Sequence, residues 1–280
     1  MKYIKLGSSG IEVSRLCMGT MPMGGQKAAP ESERLLDYAL ELGINFFDTA
    51  EMYPIPVKAE TYTNTERVIG DWLAKDQSKR SKFILASKIV GRGVKYIRDG
   101  AEPDGAAVIQ AVDDSLARLQ TDYIDLFQIH WPNRATPHFA KHWPGDINLT
   151  RIDATQQSED MLGLLRGLDT CVKAGKVRFC GLSNESPWGI SEYLRLAELH
   201  NLPAIVSVQN ELNLLHTKDW PYMLETCSMK NVAYLPWSPL GGGTLTGKYL
   251  NGARPDGSRW TAIQRNGIFR DTPRSDAAVA

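Results

Sequence analysis

Four side chains of acid–base type stand at well-separated points of this sequence: Asp48, Tyr53, Lys88 and His130. Brought together, such a set could give a proton to an oxygen that gathers negative charge while its carbon accepts a hydride. Tyrosine alone is a reluctant acid, with an unperturbed pKa of about 10. A neighbouring ammonium favours the phenolate and lowers that pKa, a part that Lys88 could take. A buried lysine keeps its proton only beside an anion, and Asp48 is the obvious partner. His130 could add a second hydrogen bond to the carbonyl or orient the substrate. Each residue also has a plainer use: an Asp caps a turn, a Lys reaches solvent, a His sits satisfied in the core. Lys88 could equally form a Schiff base with a carbonyl substrate. Whether the four act as one depends on the elements that carry them.

Those elements alternate short β-like runs with longer helical ones, the pattern of a parallel sheet with crossover helices. After a hairpin over residues 3–13, turning at Ser8-Ser9-Gly10, strands are expected at 16–19, 45–48, 83–88, 125–130, 179–183, 204–209 and 232–237. Helices are expected at 31–42, 64–74, 104–119, 159–174, 187–199 and 219–229. Two of them meet a terminating glycine, at Leu42-Gly43 and Ala174-Gly175. Seven strands with helices after six of them imply an α/β fold of the (β/α)8 TIM-barrel type with an N-terminal β-hairpin, one domain over residues 1–280, and no eighth strand in view. In such a barrel the active site lies at the C-terminal ends of the strands. Asp48, Lys88 and His130 would close the second, third and fourth strands, and Tyr53 would follow the second, so all four would share one mouth.

Composition narrows the partners. Among 280 residues, 42% are hydrophobic and the 32 basic and 32 acidic side chains cancel, so no global field draws the chain to nucleic acid or an anionic membrane. No apolar run approaches the roughly 18 residues of a membrane span, and Met1–Lys5 carries no apolar signal core, so a cytoplasmic protein acting on a small molecule is expected. Cys17, Cys171, Cys180 and Cys227 are scattered, as thiols used for packing would be.

The segments Asn45-Phe46-Phe47-Asp48-Thr49-Ala50-Glu51-Met52-Tyr53, Ala86-Ser87-Lys88 and Gln128-Ile129-His130-Trp131-Pro132 resemble the Asp, Tyr, Lys and His motifs of the aldo-keto reductase family. The likeness runs from Tyr3 to about Arg259 and is nearest the bacterial branch that is also similar to potassium-channel β subunits. It implies reduction of aldehydes or ketones with NADP(H), or with NAD(H), Tyr53 being the general acid, Lys88 and Asp48 its tuning pair, and His130 and Trp131 facing substrate. By the same likeness Ser183, Asn184 and Gln209 would hold the nicotinamide carboxamide, with Asp48 beside it, and Trp237 would stack on the ring. The loop Ser238-Pro239-Leu240-Gly241-Gly242-Gly243 would cradle the pyrophosphate, Lys248 and Arg259 would meet the phosphates, and Gly19, Thr20, Met21 and Gln26 would line the cofactor near the first strand. The branch likeness leaves a second reading open, a nicotinamide-binding regulatory or scaffold subunit with little turnover; a homo-oligomer is compatible with either.

Other motifs carry less. The glycine run does not open a helix after an early strand, so it is not a Rossmann fingerprint. His138 and His142 are spaced like a zinc pair but no third ligand follows, and no metal is expected. Trp131, Phe139 and Trp143 could wall the substrate or merely pack down a long loop. After Trp237 the chain shows neither an eighth strand nor the Gly-x-Ser/Thr, Gln and Glu-Asn segment by which relatives grip a 2′-phosphate. Unpaired strand edges are an aggregation hazard, so either a longer native chain or a covering partner subunit is expected.

Overall fold

A computed structural model describes residues 1–136, 139, 152–258 and 277. Strands β1 (Tyr3–Lys5) and β2 (Glu12–Ser14) pair antiparallel as the expected hairpin, Ile4 opposite Val13. Seven parallel strands follow in sequence order: β3 (Met18–Gly19), β4 (Phe46–Asp48), β5 (Ile84–Ile89), β6 (Ile124–Ile129), β7 (Val177–Ser183), β8 (Ile205–Glu211) and β9 (Ala233–Trp237). Between them run α1 (Ala29–Glu41), α2 (Asn64–Lys75), α3 (Gly105–Leu119), α4 (Ala154–Lys173), α5 (Pro187–His200) and α6 (Tyr222–Lys230). The fold is thus an α/β barrel of the (β/α)8 kind, incomplete among the described residues, since β3 and β9 are sheet edges. None of the described helices is long and apolar enough to cross a membrane.

Helix boundaries moved where a carboxylate caps the first turn or is drawn to a neighbouring strand. Helix α4 begins at Ala154, ahead of the expected Glu159, because Asp153 caps it by accepting from the N–H groups of Thr155 and Gln156. Helix α6 begins at Tyr222 instead of Asp219, whose carboxylate accepts from Asn210 Nδ2 and the Tyr234 hydroxyl. Strand β5 continues to Ile89, past Lys88, and β6 stops at Ile129, leaving His130 just beyond it.

Strand alternation sorts side chains into two layers. Phe47, Leu85, Phe127, Ile129 and Leu182 face outward and pack under Leu36, Trp72, Leu165 and Leu168 of the helices. Phe46, Ala86, Leu126 and Val206 face inward, and Leu6 and Val13 of the hairpin close that floor. The hairpin sits so close that a Cβ on Gly7 would lie 2.2 Å from the Val206 carbonyl oxygen. Near the strands' N-terminal ends, buried Asp125 accepts from Arg80 (2.7 Å), Arg178 (2.6 Å) and the Leu85 N–H (3.0 Å), tying β5, β6 and β7 together.

Candidate active site

Each second residue along an inward face rises one layer toward the strands' C-terminal ends. Above the apolar floor of Phe46, Ala86 and Leu126 stand Asp48, Lys88 and Gln128. Lys88 Nζ donates to Asp48 Oδ2 at 2.6 Å and to the Thr49 carbonyl at 2.8 Å, and the lysine is fully buried. Asp48 Oδ1 accepts from two side-chain amides, Gln209 Nε2 at 2.9 Å and Gln128 Nε2 at 3.1 Å. The Lys88 ammonium lies 5.0 Å from the Tyr53 ring centre, and the His130 ring meets that tyrosine edge-on at 5.7 Å. The four residues singled out first in the sequence therefore cluster at the C-terminal ends of the strands.

Burial and charge compete there. Burial works hardest against the Lys88 ammonium, but Asp48 and the ionised form of Tyr53 outweigh it, and the lysine pKa ends above its ordinary 10.5. The tyrosine corrects an expectation: burial pushes its phenol above 10, and the pull of Lys88 does not cancel it because Asp48 adds its own repulsion. Burial, then Lys88, hold His130 well below its usual 6.5. His130 is a neutral ring at pH 7, with Nδ1 buried and lacking a hydrogen-bond partner among the described residues. The sign of the linkage follows: this histidine contributes stability that is present above about pH 6.5 and lost as pH falls through its folded value. Its NMR ring shifts are expected to stay flat from pH 8 to about 6, a range in which a free histidine passes its half-protonated point at about 6.5; a midpoint near 6.5 in the folded protein would contradict the burial argument.

The residues expected around a nicotinamide divide. Ser183 Oγ donates to the Gln209 carbonyl (2.7 Å), and Asn184, left-handed at φ 53°, sends Nδ2 to the His130 carbonyl (2.9 Å) and Ser183 Oγ (3.0 Å). Trp237 Nε1 donates to Asn184 Oδ1 at 3.3 Å. With these donors engaged, lone pairs on Asn184 Oδ1 and Ser183 Oγ are what the cluster offers, and they suit the NH2 of a carboxamide. Gln209 turns its NH2 to Asp48. Gly19 pairs with Asp48 across the sheet, and Thr20 Oγ1 donates to the Asp48 carbonyl at 2.8 Å. Gln26 Nε2 and the Met21 carbonyl both engage Ile55, fastening the loop after β3 to the segment that follows Tyr53. In the loop after β9, Ser238, Gly241, Gly242 and Gly243 have φ of 52°, 56°, 65° and 105°. The N–H groups of Gly241 and Gly243 close on the Ser238 and Leu240 carbonyls, so they serve the turn itself; Pro239 lies between, Leu240 is exposed, and exposed Lys248 lies over the Tyr249 ring at 5.2 Å. Trp131 donates Nε1 to the Arg92 carbonyl (3.1 Å) and presses so near Gly91 that a Cβ there would meet the indole at 2.2 Å. Phe139 stands 5.6 Å from Trp131 and 6.5 Å from Trp237. Arg259, His138, His142 and Trp143 lie outside the described residues.

A sequence profile of the aldo/keto reductase family matches residues 15–278. The chain belongs to the aldo/keto reductase family. Among its curated relatives, Protein tas of Escherichia coli strain K12 is 43% identical over 268 residues, covering 95% of this chain and 75% of the relative. The Uncharacterized oxidoreductase YrpG of Bacillus subtilis is 32% identical over 254 residues, covering 89% and 70%. The Versiconal hemiacetal acetate reductase of Aspergillus parasiticus is 28% identical over 283 residues, covering 93% and 71%. Membership implies oxidoreductase chemistry on carbonyl compounds.

For this aldo/keto reductase, residue types and motifs left two participants without a part. Gln128 touches Asp48 directly, and its position two residues after Leu126 on β6 was the signal, since that spacing keeps a side chain on the inward face. Glu51 grips Arg98 from inside the Asp48–Tyr53 segment. No local pattern announces that pair, because its halves come from different loops.

Proposed function

We propose that the chain reduces aldehydes or ketones to alcohols with NADPH as the electron donor and Tyr53 as the general acid. The observation that carries this reading is the buried Lys88 ammonium, held between the Asp48 carboxylate and the Tyr53 ring. Asn184 and Ser183 would take the carboxamide, Trp237 would stack on the ring, and Lys248 with the loop at residues 238–243 would meet the phosphates. A nicotinamide held there supplies the hydride. Tyr53, protonated at neutral pH, gives its proton to the substrate oxygen as charge develops on it. Lys88 stabilises the phenolate that remains, and Asp48, steadied by Gln128 and Gln209, keeps Lys88 charged. Neutral His130 offers the same oxygen a hydrogen bond without competing for the proton. Trp131 and Phe139 favour an apolar or aromatic group beside the carbonyl.

The test is NADPH oxidation with a panel of aldehydes and ketones, alongside fluorescence titrations with NADPH and NADH. Turnover is expected with NADPH, faster for aromatic aldehydes than for small polar ones. Oxidation no faster than the enzyme-free background, or binding of neither nucleotide, would refute the proposal.

A further inference from the structure

Glu51 lies in the segment that joins two of the four residues, three positions after Asp48 and two before Tyr53. It is 5% exposed; its carbonyl accepts from the Thr63 N–H at 3.1 Å, and its backbone N–H and carboxylate both turn to strand β5 and the loop that follows. Its backbone N–H donates to the Lys88 carbonyl at 3.1 Å. Its Oε2 accepts from the Val90 N–H at 2.9 Å and from Arg98 Nη2 at 3.0 Å, and its Oε1 accepts from Arg98 Nη1 at 2.7 Å. Arg98 Nη2 also donates to the Val90 carbonyl at 2.8 Å. One residue of the tyrosine's loop therefore grips the backbone on either side of Ile89, directly above Lys88. The turn it anchors closes with the Tyr53 N–H on the Ala50 carbonyl at 3.1 Å and packs against Val90 and Ile97.

Two features speak against a pair kept only for stability. Burying a carboxylate carries a desolvation cost that a good ion pair roughly offsets, so apolar side chains would hold the loop about as well. Arg98 and its neighbour Asp99 both adopt left-handed backbone, φ 48° and 52°, although neither is glycine. Such conformations persist only where the surroundings over-determine them. Here they deliver a planar two-pronged donor to Glu51, a geometry that lysine cannot reproduce.

We propose that Glu51, clamped by Arg98, is a positioning residue that sets the Tyr53 phenol against the Lys88 ammonium. The inference rests on Tyr53 being the acid. It predicts that Glu51→Gln and Arg98→Met lower kcat by about 10- to 100-fold, the scale of a catalytic group displaced by about 1 Å. The KM and dissociation constant for NADPH stay within about twofold, because the nucleotide contacts lie on other strands. Arg98→Lys falls between these variants and the wild type. The reversed pair, Glu51→Arg with Arg98→Glu, does not restore the rate, since the Val90 N–H would face a donor.

Repeating Glu51→Gln in a Tyr53→Phe background separates positioning from general damage. If Glu51 acts through the phenol, it costs nothing further there; a loss by the same factor in both backgrounds would overturn the inference, as would Glu51→Gln with an unchanged kcat. Should Glu51→Gln fail to fold, the milder Arg98→Lys decides by the same comparison. A Tyr53→Phe protein that keeps the wild-type rate would instead refute the acid assignment and leave the clamp as a structural pair, a distinguishable result.

Discussion

Tyr53→Phe is expected to slow carbonyl reduction by about a thousandfold while leaving NADPH affinity and melting temperature nearly unchanged, within the range general acids contribute. The substitution removes one oxygen and keeps the ring that packs against His130 and lies near Lys88. Because burial holds the phenol above 10, the acid is loaded throughout the neutral range. Reduction should therefore be flat with pH around neutrality and decline only in alkali, whereas the reverse oxidation, which needs the phenolate, should accelerate as pH rises. Stability follows the same sign: a phenol raised in the folded state contributes stability present below its unfolded pKa and lost as pH climbs through the folded one. Steady-state rates of the two proteins with one aldehyde across pH provide the check. A variant retaining more than about a tenth of the wild-type rate would exclude Tyr53 as the principal acid.

The second large effect belongs to Lys88→Met, expected to destabilise the fold by about 3–5 kcal/mol as well as abolish turnover. The methionine fills a similar volume, so the loss comes from stranding the Asp48 carboxylate, which is only 7% exposed, without its cation. The amides of Gln128 and Gln209 still reach its Oδ1 but carry no compensating charge. Adding Asp48→Leu should return most of the lost stability and none of the activity, because a buried pair replaced by apolar side chains is close to neutral overall. Urea unfolding of the single and double variants measures this. A single variant as stable as the wild type would mean that the Asp48 carboxylate needs no cation where it sits. Lys88 also sets an alkaline limit: with its pKa raised in the folded state, the stability it contributes is complete below 10.5 and lost as pH rises through the folded value.

How far the sequence discloses this molecule depends on whether a feature repeats locally. The seven strands and six helices were legible because each imposes its own period, and glycine marks the ends at Gly43 and Gly175, both left-handed with φ of 77° and 73°. The meeting of Asp48, Lys88 and His130 was legible because a barrel rule converts strand ends into neighbours. Helix α4 hid its first turn because Ala154-Thr155-Gln156-Gln157 has no apolar period, and only the Asp153 cap reveals it. The direction of the Tyr53 shift was not legible, since it turns on how deeply the ring is buried and on where Asp48 stands. Nor was the Arg98 fork, which depends on the conformation of one loop meeting the side chain of another. The contact of Gln209 Nε2 with Asp48 was likewise not legible, because parity gives the inward face but not the rotamer.

Asp125, with Arg80 and Arg178 converging on it, secures three strands at the pole farthest from the proposed chemistry. A scaffold fastened at its base gives its upper rim latitude. Exchanging Trp131 or the residues beside it should retarget which carbonyls are accepted without loosening the staves below, so new selectivities could be drawn from this protein by altering one end while the other keeps it whole.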